Sequence, residues 1–297
     1  MIVHTAATGI LPAAEESLPI IQSDVEHQRM SDPYLDHLDA QRAGYKAGAV
    51  PFMGKWQQTF DFRPVPYSAG GPARSAFMQN VREKLTNRFL FSRFIAVTIT
   101  LQLDTQTVME SDAYGDLDNY AKAINDTLKG RDGIFIDDCQ IYRLNVGFEL
   151  TSRTTFDVEV EAMMPDEFVM KDGLKFYGMP DGLFYPQAEA VWEEGRLGQL
   201  DVFNTYAGLI IWEGMVRAKR TIRHDGRQNG LSKLEAFRGS RPAMPLQLAY
   251  HRSRAIASGI EIVEYSEWKP EAQKLALTDR RFGELNEMMT GYGSTLT

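Results

Sequence analysis

Residues 57–164 predict a mixed α/β (α+β) domain, followed over residues 165–297 by a mostly helical extension. Three observations carry this. Ile95, Val97, Ile99 and Leu101 alternate with polar or small residues, as in a half-buried strand. Ala121, Ile124 and Leu128 then fall on one helical face between Gly115 and Gly130, which is placed to end the helix. Tyr142, Leu144, Val146, Phe148 and Leu150 return to period two, as do Phe156, Val158, Val160 and Ala162 after a turn at Ser152-Arg153. Strands interleaved with helices and closed by consecutive strands specify this class.

The remaining elements follow in order. Residues 1–56 read as an N-terminal arm: an Ala-rich apolar start, then a polar helix over about 34–46 that Gly48 and Pro51 end. A short strand is expected at 59–62, stopped by Pro64 and Pro66 and followed by the loop Ser68-Ala69-Gly70-Gly71-Pro72. Ser75 is the expected N-cap of a helix carrying Phe77, Val81 and Leu85. The strand at 94–103 and the helix at 115–129 come next, then a short strand at 134–136. Pro165 and Asp166 mark the boundary to the extension, where 185–223 reads as mostly helical and 291–297 as a frayed tail.

Composition narrows the function classes. The chain has 297 residues, 43% hydrophobic and 24% charged, which excludes wholesale disorder and rod-like repeats. Residues 1–28 hold no Lys or Arg and four acids, so no basic n-region of a signal peptide is present. No apolar run approaches the roughly 20 residues a membrane span requires. With Cys139 as its single cysteine the chain cannot form an internal disulfide, and a cytoplasmic protein is expected.

The net charge of −8 conceals segregation. Residues 217–254 carry ten basic residues against Asp225 and Glu235, and residues 63–93 carry six against Glu83. Clustered cations of this kind suit a polyphosphate partner. Arg74, Arg82, Arg217, Lys219, Arg220 and Arg223 are the candidate phosphate contacts, with solvated helix faces as the alternative reading of both stretches. Trp212, Phe237 and Tyr250 lie in or near the basic segment, where aromatic residues stack on unpaired bases or simply fill a core.

Chemistry concentrates in Gly115-Asp116-Leu117-Asp118-Asn119-Tyr120-Ala121-Lys122 and in Asp137-Asp138-Cys139-Gln140. Asp116 and Asp118 are two apart where extended chain enters a helix, so both carboxylates can share a ligand. Paired carboxylates repel unless a cation lies between them, and Mg²⁺ favours such a pair completed by waters and phosphate oxygens. Asp138, at the end of a strand, supplies a third. Lys122 stands one helical turn beyond Asp118, where an ammonium binds a phosphate or forms an ordinary i,i+4 ion pair. Asp118 also suits a helix N-cap. An EF-hand loop beginning at Asp116 fails, because Ala121 and Thr127 stand where Gly and Glu are required. No phosphate-loop, His-Glu-x-x-His or Gly-x-Ser-x-Gly motif occurs, and the five histidines are scattered away from the acids.

Asp-Leu-Asp-Asn, a Lys four residues after the second Asp, and Asp-Asp-x-Gln some twenty residues on resemble the signature of RusA-type Holliday junction resolvases. The likeness extends to Arg63-Pro64-Val65-Pro66 and to the strand order over residues 57–164, which would form a RusA-like mixed β-sheet with packed helices. It implies a Mg²⁺-dependent endonuclease, with Mn²⁺ able to substitute, that acts as a homodimer on branched DNA in a bacterial or phage-infected cell. By the same resemblance Asp116, Asp118 and Asp138 are metal-binding, Lys122 is catalytic, and Asp137, Asn119 and Gln140 support them. Residues 104–112 lack the arginines expected of a small resolvase, so the grip on DNA falls to residues 74–93 and the basic segment. A DNA-binding scaffold with weak catalysis and a nucleotide phosphohydrolase are the competing readings.

Overall fold

A computed structural model of the chain describes residues 51, 54–111, 115–164, 167–193, 196–243, 248–282, 284 and 285. The expected arm helix at 34–46, the Pro165–Asp166 boundary, the tail at 291–297 and Asp112 lie outside the described residues.

A four-stranded mixed sheet organises the first half. Strands β1 (Lys55–Phe60), β3 (Ile95–Asp104), β4 (Ile141–Thr151) and β5 (Thr155–Ala162) assemble in the order β1-β5-β3-β4. Only β3 and β4 run parallel. A parallel pair needs a long crossover. Here it contains helices α2 (Thr105–Glu110) and α3 (Leu117–Leu128). Helix α1 (Gly71–Lys84) packs against α3, and the short β2 (Phe89–Phe91) precedes β3. Ile95, Val97, Ile99, Leu101, Phe156, Val158 and Val160 are at most 1% exposed, so the expected alternation places one strand face in a dry core. Phe60 stacks on Phe156 with ring centroids 4.6 Å apart, and Phe62 and Phe77 meet the pair edge-on or tilted.

Several boundaries differ from the expectation. The first strand occupies Lys55–Phe60 rather than 59–62. Helix α1 starts four residues before Ser75, with Gly70 as N-cap and Pro72 in its first turn. Proline is suited to that turn because its missing N–H would have had no partner there. Residues 134–136 form no named strand; Phe135 makes isolated bridges to Phe91 and Lys129. The turn that brings the chain back after α3 depends on Gly133, where a Cβ would lie 1.9 Å from the Leu128 carbonyl oxygen.

The second half begins with strands where helix was expected. Short strands β6 (Phe168–Met170), β7 (Lys175–Gly178), β8 (Phe184–Gln187), β9 (Ala190–Glu193) and β10 (Arg196–Gln199) precede helix α4 (Val202–Gln228). Pro186 and Gly198 break any helical run before residue 200, and Phe184-Tyr185 favours a strand. From Val202 on the chain is largely helical: α4, α5 (Lys233–Gly239), α6 (Arg252–Ala257) and α7 (Tyr265–Ala276), interrupted by β11 (Glu261–Val263), which adds in parallel to β7. The apolar cluster that fills the first half also takes in Val169, Phe176, Phe184, Tyr250, Ala255 and Ile260. Segments flanking α4 and α5 in sequence thus share one core with the central sheet. A second cluster joins α4 to α7 around Leu209, Ile210, Val216 and Trp268. No described helix is long and apolar enough to cross a membrane.

Candidate functional site

Two groups of charged side chains lie towards opposite ends of α3. At the N-terminal end, Asp116 occupies the N-cap position with extended backbone, and its carbonyl oxygen accepts from the amides of Asn119 at 3.0 Å and Tyr120 at 3.3 Å. Its carboxylate makes no capping bond, so the cap rests on the main chain alone. Asp118 stands in the first turn, and both carboxylates are exposed. Among the described residues neither forms a hydrogen bond or an ion pair. The helix N-terminus offsets part of their mutual repulsion.

Lys122, one turn on, is also exposed, and its ammonium lies 4.1 Å from the centroid of the Tyr67 ring. The Arg74 guanidinium sits 4.5 Å from the same centroid. Tyr67 therefore gathers one cation from α1 and one from α3, each contact contributing about 0.5–1 kcal/mol at an exposed site. The loop bearing Tyr67 is fixed against the start of α3: a Cβ on Gly115 would come within 2.8 Å of the Pro66 Cβ. The Gly115 amide also donates to the Tyr120 hydroxyl at 3.3 Å.

At the other end, Lys129 donates to Asp126 at 2.7 Å and to Asp138 at 3.2 Å. Burial lowers the Lys129 pKa, but the two carboxylates outweigh it and the net shift is upward. Asp137 caps a short 3-10 turn, Asp138–Gln140, by accepting from the Cys139 amide at 2.9 Å. Arg254 of α6 donates to Asp137 and, at 3.4 Å, to Asp138. Burial raises the Asp137 carboxyl, yet the Cys139 hydrogen bonds and Arg254 together bring it below the usual aspartate value. Gln140 is fully buried. Its carbonyl oxygen accepts from the amides of Ile136 and Asp137, and its nitrogen donates to the carbonyls of Phe91 and Arg93, each at 2.8 Å. Gln140 thus straps the acidic loop to the end of β2 and the link into β3, a role in support of its neighbours.

The sequence-selected residues are therefore only partly gathered. Asp116, Asp118, Lys122 and Arg74 share one end of α3. Asp138 is held by Lys129, whose backbone lies about 16 Å along the axis from Asp118 at helical rise. Among the described residues no three His, Cys, Asp or Glu side chains stand close enough to hold one ion. The hard oxygens of Asp116 and Asp118, exposed and unpaired, fit Mg²⁺ as a pair that substrate phosphate and water complete. As placed, the three carboxylates do not form a closed cage.

The candidate DNA contacts divide in the same way. Arg82 lines a cleft with Ser75, Asp132 and Lys171, whose ammonium burial brings down to about 8. Arg217 donates to Glu213 at 2.8 Å, and Lys219 is buried on Asp181 at 3.0 Å and the Tyr185 hydroxyl at 3.2 Å. Both ammonium and guanidinium are thereby engaged within the fold. Arg220 is exposed, while Arg223 bonds Ser240 and lies over the Phe237 ring. Tyr250 is 1% exposed and belongs to the core; Trp212 packs on Tyr185. Sequence reasoning overlooked Tyr67 and the pairing of Arg254 with Asp137. Tyr67 follows the Pro64–Pro66 break directly, whereas nothing in the spacing links residues 254 and 137.

The site lies in a mixed α/β protein, on a crossover helix whose first turn exposes paired acids beside two cations. Residues 73–161 match the family model Endodeoxyribonuclease RusA, and over that stretch the chain carries a RusA endodeoxyribonuclease domain. The matched stretch holds Arg74, both acids, Lys122, Asp137, Asp138 and Gln140; Tyr67, β1 and Arg254 lie outside it. A comparison with curated proteins found no match.

Proposed function

We propose that the chain is a Mg²⁺-dependent, structure-selective endodeoxyribonuclease that cuts branched DNA as a homodimer, in the manner of Holliday junction resolution. The observation that carries this reading is the pair of unengaged carboxylates at Asp116 and Asp118 with Lys122 one turn away, inside the segment that matches the RusA family. Asp116 and Asp118 would hold the metal, with Mn²⁺ able to substitute. Bound there, it would lower the pKa of an attacking water and offset charge on the phosphate. Lys122, steadied on the Tyr67 ring, presents its ammonium to a phosphate oxygen, and Arg74 beside it holds the adjoining backbone. Arg220 and Arg223 extend the cationic surface, and the nuclease unit is residues 57–164. Asp138 keeps its proposed metal role only if DNA or metal draws it from Lys129 and Arg254. Such an activity belongs to DNA recombination and repair in a bacterial or phage-infected cytoplasm.

A second reading, a DNA-binding scaffold with weak catalysis, is favoured by the engagement of Asp138 with two cations. One assay separates the two: a synthetic four-way junction beside linear duplex and flap DNA, with Mg²⁺ added or chelated. Paired symmetric nicks that require the metal support the nuclease. Tight junction binding without cleavage in Mg²⁺ or Mn²⁺ overturns it in favour of the scaffold.

A further inference from the structure

Helix α4 outruns the core. Val216 is its last residue in either apolar cluster, and the helix continues to Gln228, about 18 Å further at helical rise. No residue of 217–241 belongs to either cluster, and within 220–241 only Ala236 and Ser240 are buried. The end of α4 and α5 are nevertheless built as one hairpin. Ser232 and Glu235 cap α5 reciprocally, at 3.2 Å and 2.9 Å. A Cβ on Gly226 would lie 3.2 Å from Leu231 and 3.3 Å from Ala236, so the two arms meet closely there. Arg223 closes the other end by donating to the Ser240 hydroxyl at 2.7 Å. On α5, Leu234 and Arg238 lie opposite the buried Ala236 at helical spacing. Leu234 is 56% exposed and Phe237, one turn on, 42%. Lys233 and Arg238 flank them on the same helix, with Arg241 just beyond it and Arg227 at the end of α4. All four cations are exposed, and among the described residues none is in an ion pair. Lysines that support the fold are paired, as Lys175 is with Glu189 and Lys269 with Glu213. Glu235, the one acid of residues 227–241, is already engaged by the Ser232 amide.

We propose that this hairpin is a docking surface for an acidic amphipathic peptide of another protein. Its carboxylates meet Lys233, Arg238 and Arg241, and its apolar side chains cover Leu234 and Phe237. Charge complementarity fixes the sign of the partner, because the cations here have no carboxylate of their own. The apolar pair then separates peptide from nucleic acid. Cations alone would suit a phosphate backbone, but a backbone presents nothing apolar to Leu234. Base stacking on Phe237 is also disfavoured, since the Arg223 guanidinium already stands 4.7 Å from its ring centroid and occupies one face. A partner both acidic and apolar satisfies all of these side chains at once. The inference is independent of the proposed function: the hairpin lies beyond the segment that matches the RusA family.

Fluorescence anisotropy with the full chain tests this, using two labelled synthetic peptides of about 15 residues and equal negative charge beside a short DNA duplex. One peptide carries Leu and Phe a helical turn apart among aspartates and glutamates; the other has Ser in their place. The first should bind with a micromolar Kd, about tenfold or more tighter than the second. Leu234→Ser should remove most of that difference, and Lys233→Glu combined with Arg238→Glu should weaken the first peptide by about tenfold or more. Both variants should melt with wild type, because these residues belong to neither apolar cluster. Equal affinity for the two peptides overturns the proposal, as does the lack of saturable binding of the first at about a hundred micromolar. A duplex that displaces the peptide and is itself weakened by Leu234→Ser also overturns it, and makes the hairpin a nucleic-acid surface instead.

Discussion

Arg254 and Asp137 stand 117 residues apart in the chain and are hydrogen-bonded in the fold. Helix α6 holds that contact because its end is tied to the turn after α3: the Arg131 amide donates to the Ser258 carbonyl at 2.8 Å. The acidic loop of the RusA domain is therefore shaped in part by residues beyond the family's matched segment.

The contact has a pH signature. Asp137 is depressed in the fold, so its contribution is fully present above the ordinary aspartate pKa and is lost as pH falls through the lower folded value. Arg254→Gln should lower the Tm near pH 7 by a few degrees, consistent with roughly 1 kcal/mol after solvent screening of a half-exposed guanidinium. The difference from wild type should shrink as pH is taken below 4. Thermal melts across pH 2.5–7 check it; an offset that stays constant with pH would show that Arg254 acts through packing alone.

Asp116→Asn and Asp118→Asn should each reduce junction cleavage at least about a hundredfold while leaving junction affinity within a few-fold, because both carboxylates are exposed and neither supports the fold. Single-turnover cleavage and a gel-shift titration, run on the same preparations, give the two numbers. Equal losses in both would mean that the acids serve binding rather than chemistry.

Tyr67 separates a ring effect from a hydroxyl effect. Tyr67→Leu removes the surface on which Lys122 and Arg74 rest and should cut cleavage by about three- to tenfold, whereas Tyr67→Phe retains it. Unchanged cleavage in Tyr67→Leu would show that Lys122 needs no such support.

Cys139 is at the surface, yet burial of its sulfur and then the Asp137 carboxylate push the thiol up to about 12. Since only the thiolate reacts, alkylation near pH 8 should run well below the rate of a free peptide thiol. Arg254→Gln removes one influence that favours the thiolate and should not accelerate it. Iodoacetamide labelling followed by intact-mass analysis reads both.

The periodicities of β3, α3 and β5 were legible in the sequence because one face of each meets a single dry core, so local pattern and burial agree. The acids, Lys122 and Gln140 were legible because their spacing within a helix or turn is local. Strands β8 to β10 were not, since four-residue strands leave too short a pattern to oppose a helical reading. The alternation of β4 was read correctly as a strand, but its solvent exposure follows from its place at the sheet edge, which pattern alone does not give.

By itself the sequence determined the mixed α/β class, the cationic segments and the paired carboxylates opening a helix, all set by short-range periodicity and residue chemistry. Tertiary structure decided which charges are free. Among the described residues it left Asp116 and Asp118 unpaired, placed Lys122 and Arg74 at one ring, engaged Asp138 with Lys129 and Arg254, and drew Lys219 inside on Asp181. Those outcomes depend on chain segments that meet only when the core closes, and a one-dimensional pattern carries no distance between them.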